Sequence, residues 1–140
     1  MLKKVLLALA LMIGCSAGLA SAEIKIIANT NVTETTVSGK TVEDIFLGKV
    51  VQWRDNAVIH VVTVKDPKIH HAFLDQYLKK SEAQWNAYWK RLVFTGTGTP
   101  PEQAETQQAL LEYVAKTKGA VGYMEAEPLT IDTAKIIAVK

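Results

Sequence analysis

The chain has 140 residues, 49% of them hydrophobic, with 16 basic and 14 acidic side chains and a single cysteine, Cys15. Lys3 and Lys4 fall in an expected N-terminal leader, so the 118 residues that follow carry 14 charges of each sign and no thiol. Balanced charge argues against nucleic acid or an anionic membrane surface as partner, and without a thiol the mature chain has no disulfide framework, cysteine nucleophile or thiolate metal site.

Residues 1–22 read as a signal peptide: Lys3 and Lys4 are the basic start, Val5 to Ile13 the apolar stretch, and Ala20-Ser21-Ala22 a small-residue cleavage site. Met12-Ile13-Gly14-Cys15 is an imperfect lipoprotein box and fits less well than the Ala-x-Ala site. The apolar stretch is shorter than the roughly 20 residues a membrane span takes. A periplasmic or secreted protein is expected, with one domain over residues 23–140.

Glu23 to Ala28 is a β-branched run that ends in Asn29-Thr30-Asn31, which predicts a buried strand entering a polar loop. Val32 to Lys40 is ambiguous. Thr41 with Asp44 resembles a capping box, and Gly48 stops the short helix that follows. Ile59 to Val64 is the second clear strand, after a turn at Arg54-Asp55-Asn56. Asp66-Pro67 is a helix entry, and Ile69, Phe73, Leu74, Tyr77 and Leu78 recur at helical spacing. Ser81 to Gln84 is another capping box, opening a helix whose apolar stripe is Trp85, Tyr88, Trp89 and Leu92. Phe94 to Pro101 must be a loop. Ala104 to Lys118 predicts a third long helix stopped by Gly119, and strands are expected at Val121 to Met124 and Ile136 to Val139. Helices alternating with strands imply an α/β sandwich around a central mixed sheet.

Three pieces carry a family resemblance in this order: Glu43-Asp44-Ile45-Phe46-Leu47-Gly48-Lys49 with Trp53 after it, the strand Ile59 to Val64 with Phe73 in the next helix, and Gly119-Ala120-Val121-Gly122-Tyr123. Together they resemble the phosphate-binding branch of the type II periplasmic solute-binding proteins. The resemblance implies a single lobe of that fold, reversible binding of a small anion such as phosphate without catalysis or cofactor, and ABC transporter membrane subunits as partners. In that family an Arg at the end of the crossing strand and a Ser-Gly-Thr at the next helix start hold the anion, where helix N–H groups and dipole favour it. This chain has Lys65-Asp66-Pro67-Lys68-Ile69-His70 there, and Pro67 lacks an N–H. The implied anion-binding residues are Lys65, standing in for the Arg, with Asp66, and Thr30 with Asn31 in the loop after the first strand. Lys binds as a point charge where Arg binds as a fork, so an altered site is expected. The rival reading is a ligand-free interaction module, a lobe that docks on an envelope or sensor protein or on itself as a homodimer.

Other features carry less chemistry. His60, His70 and His71 lack the i, i+4 spacing of a helical metal pair, so the simpler reading is surface and strand-end histidines. Trp85, Tyr88 and Trp89 could stack on a sugar, but at helical spacing beside Leu92 they read as core. Gly96 and Gly98 lack the Gly-Lys-Thr and following helix of a nucleotide loop. The carboxylates are scattered and no serine sits in a nucleophile elbow, so no enzyme is expected.

Overall fold

The computed structural model describes residues 23–125 and 132–140, and the expected signal peptide with Cys15 lies outside the described residues. The apolar runs β1 (Ile24–Asn29) and β5 (Ala120–Glu125) are buried along almost their whole length and form the middle of a mixed sheet. Such continuous burial is what strands covered by helices on both faces require. The remaining strands are β2 (Thr36–Val37), β3 (His60–Val64), β4 (Glu102–Ala104) and β6 (Ala134–Val139), giving the order β2-β6-β1-β5-β3-β4. β1 runs antiparallel to β5 and β6, while β3 runs parallel to β5 and β4. The α/β architecture and central mixed sheet are those expected from the sequence.

Alternation along β5 assigns the two helical layers. Tyr123 faces α1 (Gly39–Phe46) and α2 (Pro67–Phe73): its ring stacks on Phe73 with centroids 3.9 Å apart and lies 5.9 Å from Phe46. Its neighbour Gly122 faces the opposite side, towards α4 (Gln107–Lys116). A Cβ on Gly122 would stand 2.8 Å from a Leu110 methyl and 2.9 Å from a Val62 methyl, so the missing side chain lets that helix close on the sheet. α3 (Glu82–Phe94) lies on the Tyr123 side, where Trp85 meets the His70 ring edge-on at 5.5 Å.

The predicted caps at Asp66 and Ser81 are present: Asp66 accepts from the Lys68 and Ile69 amides, and Ser81 with Gln84 forms a complete capping box. Three boundaries differ from expectation. α1 is capped by Ser38, which accepts the Thr41 amide, because the helix begins a turn earlier than Thr41 and Asp44 suggest. Glu102 to Ala104, good helix formers, are extended instead, recruited by the open edge of β3, and Thr106 caps α4. Between α2 and α3, Leu74–Leu78 winds as a π-helix that ends at Lys79 with φ 53°. That wider coil brings Tyr77 Oη to the Ile24 carbonyl at 2.7 Å and sets Gln76 against both polar groups of the Ile24 backbone, tying the helical layer to the start of β1.

Candidate functional site

The strand end implied as an anion site is built from β3, β4 and α2. Lys65 continues β3 by donating its amide to the Ala104 carbonyl at 2.9 Å, which carries its ammonium group to the carboxylate of Glu105. Both side chains are well exposed, so solvent screens the pair and it adds little to stability. Asp66 points the other way, onto the helix. Its carboxylate accepts the Lys68 amide at 3.0 Å and the Ile69 amide at 3.4 Å, and its carbonyl accepts the His70 amide at 3.0 Å. Since Pro67 has no N–H, every donor of the first turn is absent or already taken. The edge therefore offers the positive charges of Lys65 and Lys68 but no open backbone donor from the first turn of α2.

Thr30 and Asn31 are not brought to this edge. β1 runs antiparallel to β5 and β5 parallel to β3, so the residues after β1 emerge at the opposite end of the sheet from Lys65 and Asp66. Strand rise puts the two pairs roughly 20 Å apart. Asn31 is occupied there: its side-chain oxygen accepts the Gly119 amide at 2.9 Å, while its own amide donates to Asn29 Oδ1 at 3.0 Å. The Gly119 carbonyl accepts from Trp53 Nε1 at 2.9 Å and from the His60 amide at 3.2 Å. Asn29 completes the group by donating to the carbonyls of Val114 and Ala115 at the end of α4. Asn31, Trp53 and Gly119 thus fasten the turn that returns the chain into β5, and the Thr30 amide donates to the Thr133 carbonyl.

Two features were not anticipated. His70, read as a surface residue, is 9% exposed, with Nδ1 2.5 Å from the hydroxyl of Tyr123. Burial holds its imidazole below the ordinary histidine value and pushes the Tyr123 phenol far above its own. Helical phase could have found it, because Ile69, His70 and Phe73 share the buried face of α2. The second feature is an open pocket of about 570 Å³ at the far end of β3, lined by Leu47, Val58, Trp89 and Pro100 together with the polar Lys49 and His60. Its walls come from segments distant in sequence, so no local pattern marks it. Trp85 and Trp89 are buried, and Tyr88 donates to the Leu47 carbonyl at 2.6 Å, which makes this aromatic stripe packing surface. Among the described residues no group of three or more His, Cys, Asp or Glu side chains could hold a metal ion, and no helix is long and apolar enough to cross a membrane.

No family model matches the chain. Over 105 residues, 64% of the chain, it is 29% identical to phosphate-binding protein PstS of Xylella fastidiosa strain Temecula1 / ATCC 700964, covering 28% of that protein. The match to PstS of strain 9a5c has the same identity and coverage. Among solved structures, a phosphate ABC transporter substrate-binding protein with bound phosphate from Clostridium perfringens superposes on 84% of the chain with TM-score 0.67 at 19% identity, over 45% of its own length. An ABC-type phosphate transport receptor from Vibrio cholerae gives TM-score 0.65 at 15% identity, over 84% of this chain and 46% of its own. The chain is thus similar in sequence to phosphate-binding protein PstS and in fold to phosphate ABC transporter substrate-binding proteins.

The structural neighbours support the fold, and the sequence match adds a likeness over 105 residues. The chain spans less than half the length of the structures it superposes on and 28% of the curated proteins it matches. Its relatives are named for binding and transport, not for a reaction.

Proposed function

We propose that the chain is an exported binding protein of the phosphate-receptor type, working by reversible recognition without chemistry. The observation that carries this reading is the joint likeness in sequence and fold to proteins named for phosphate binding. Export is supported by the basic start, the apolar run and Ala20-Ser21-Ala22. An oxyanion is met by charge at Lys65 and Lys68 beside α2, and partnership with ABC transporter membrane subunits follows from the same likeness.

Charge alone makes a weak anion site. A charge-assisted hydrogen bond contributes about 1.5 to 3 kcal/mol, so ammonium groups without backbone donors correspond to dissociation constants on the order of millimolar. A second reading is favoured by Asp66, whose carboxylate sits where an anion would meet the helix amides: the chain docks on an envelope protein or on itself. Calorimetric titration of residues 23–140 with phosphate, beside Lys65→Ala, separates the two. Saturable binding that the substitution abolishes supports the oxyanion reading. Silence for both proteins transfers the function to docking, which light scattering would then show as a dimer or a co-purified partner complex.

A further inference from the structure

His70 and Tyr123 join α2 to the middle of the sheet by a contact whose polarity is fixed by a third group. The Tyr123 hydroxyl accepts the Val64 amide at 3.3 Å and lies 2.5 Å from His70 Nδ1. The amide N–H can only donate, and His70 Nδ1 is the acceptor within reach of the buried hydroxyl's proton among the described residues, so the hydroxyl donates and Nδ1 accepts. The imidazole is therefore neutral with its proton on Nε2. Tyr123 itself is fully buried with its ring stacked on Phe73, which holds the hydroxyl beside His70.

We infer that His70 and Tyr123 form an acid-released latch that fastens the first turn of α2 to the sheet. Protonation places a hydrogen on Nδ1, directed at a hydroxyl that already accepts the Val64 amide and whose own proton then has no acceptor among the described residues. The hydroxyl must then turn its proton into a buried setting that offers it no acceptor, and an unsatisfied buried donor is costly. The groups that act on the ring come from each element around it: Tyr123 from β5, Glu82 and Trp85 from α3, and His71 beside it on α2. Burial is the dominant influence and opposes the charged ring, His71 opposes it further, and only Glu82 favours it. The latch thus stays closed at neutral pH and opens in acid. What it releases is the helix that begins at Asp66 and Lys68, and the inference stands whatever binds at that edge.

The discriminating variant is His70→Asn, because Asn Oδ1 falls near the position of Nδ1, accepts the same hydroxyl and does not titrate. The measurement is amide hydrogen exchange of the whole chain at neutral pH and at an acid pH at which the wild-type imidazole nitrogen shifts show His70 protonated, corrected for the intrinsic effect of pH. In the wild type, protection of the α2 amides should drop roughly tenfold in acid while that of β1 and β5 holds. In His70→Asn the α2 protection should not change with pH. Equal protection at both pH values in the wild type would overturn the latch, as would the same acid loss in His70→Asn. Should that variant not fold, the wild-type imidazole nitrogen shifts still decide: unprotonated Nδ1 at neutral pH is required, and a protonated Nδ1 refutes the latch.

Discussion

Asn31 and Gly119, 88 residues apart in the chain, meet through a hydrogen bond of 2.9 Å from the Gly119 amide to Asn31 Oδ1. Gly119 has φ 79°, and a Cβ there would fall 2.1 Å from the Val58 carbonyl oxygen. Both facts require glycine, the first by conformation and the second by space. Gly119→Ala should lower stability by about 3 kcal/mol or more. Asn31→Ala should lower it by about 1 to 2 kcal/mol, since it orphans the Gly119 amide. Urea unfolding measures both. An Asn31→Ala midpoint equal to the wild type's would mean that this amide has another partner, and a fastening role for Asn31 would be lost.

Trp53 and Trp89 make a comparison within one molecule. Both are buried, but Trp53 Nε1 donates to the Gly119 carbonyl, whereas Trp89 Nε1 has no partner among the described residues. Replacement by Phe removes a satisfied donor at the first site and an unsatisfied one at the second. Trp53→Phe should therefore cost about 1 kcal/mol more than Trp89→Phe. The reverse order in thermal or urea unfolding would show that ring packing, not the hydrogen bond, sets the ranking. The benzo edge of Trp89 packs against Gly48 and Gly98, so its own substitution is not free of cost.

Asp66 closes the helix start that an anion would otherwise use. Asp66→Ala should lower stability by about 1 kcal/mol, the usual effect of losing an N-cap, and it frees the Lys68 and Ile69 amides. It also removes a negative charge beside Lys65 and Lys68. If an oxyanion is the ligand, phosphate should then bind more tightly to Asp66→Ala than to the wild type, by calorimetry. Weaker or unchanged binding, with the variant folded, would show that this edge is not where phosphate is held.

The parts of the fold that were legible in the sequence are those specified by local chemistry. β1 and β5 are continuous apolar runs, Asp66 and Ser81 are capping side chains, and Gly119 is a stop residue; each carries its instruction within a few positions. β4 was hidden because Glu102, Gln103 and Ala104 favour helix and become a strand only when β3 offers them an edge. The π-helix at Leu74–Leu78 keeps the apolar spacing of an α-helix, so periodicity could not reveal it. The separation of the two candidate residue pairs was hidden for a topological reason. Thr30 and Asn31 follow one strand and Lys65 and Asp66 another, and only the antiparallel relation of β1 to β5 reveals that these ends are opposite. His70 was legible in part, because helical phase aligns it with Phe73, but its partner Tyr123 lies 53 residues away.

Acid should weaken the whole fold through the same histidine. The folded-state pKa of His70 is held below its ordinary value near 6.5, chiefly by burial, so on acidification the unfolded chain takes up this proton first. The stability that depends on neutral His70 is complete above about pH 6.5 and is lost as pH falls from there through the folded-state value. Tyr123→Phe tests the sign. At neutral pH it removes the hydroxyl from both His70 and the Val64 amide, and should cost about 2 kcal/mol. At an acid pH below the folded-state value of His70, where the wild type has lost the His70 half of the contact, the same substitution should cost less. Unfolding free energies of both proteins at the two pH values give the comparison. A cost that stays constant, or grows in acid, would mean that the hydroxyl serves Val64 alone and that His70 does not depend on it.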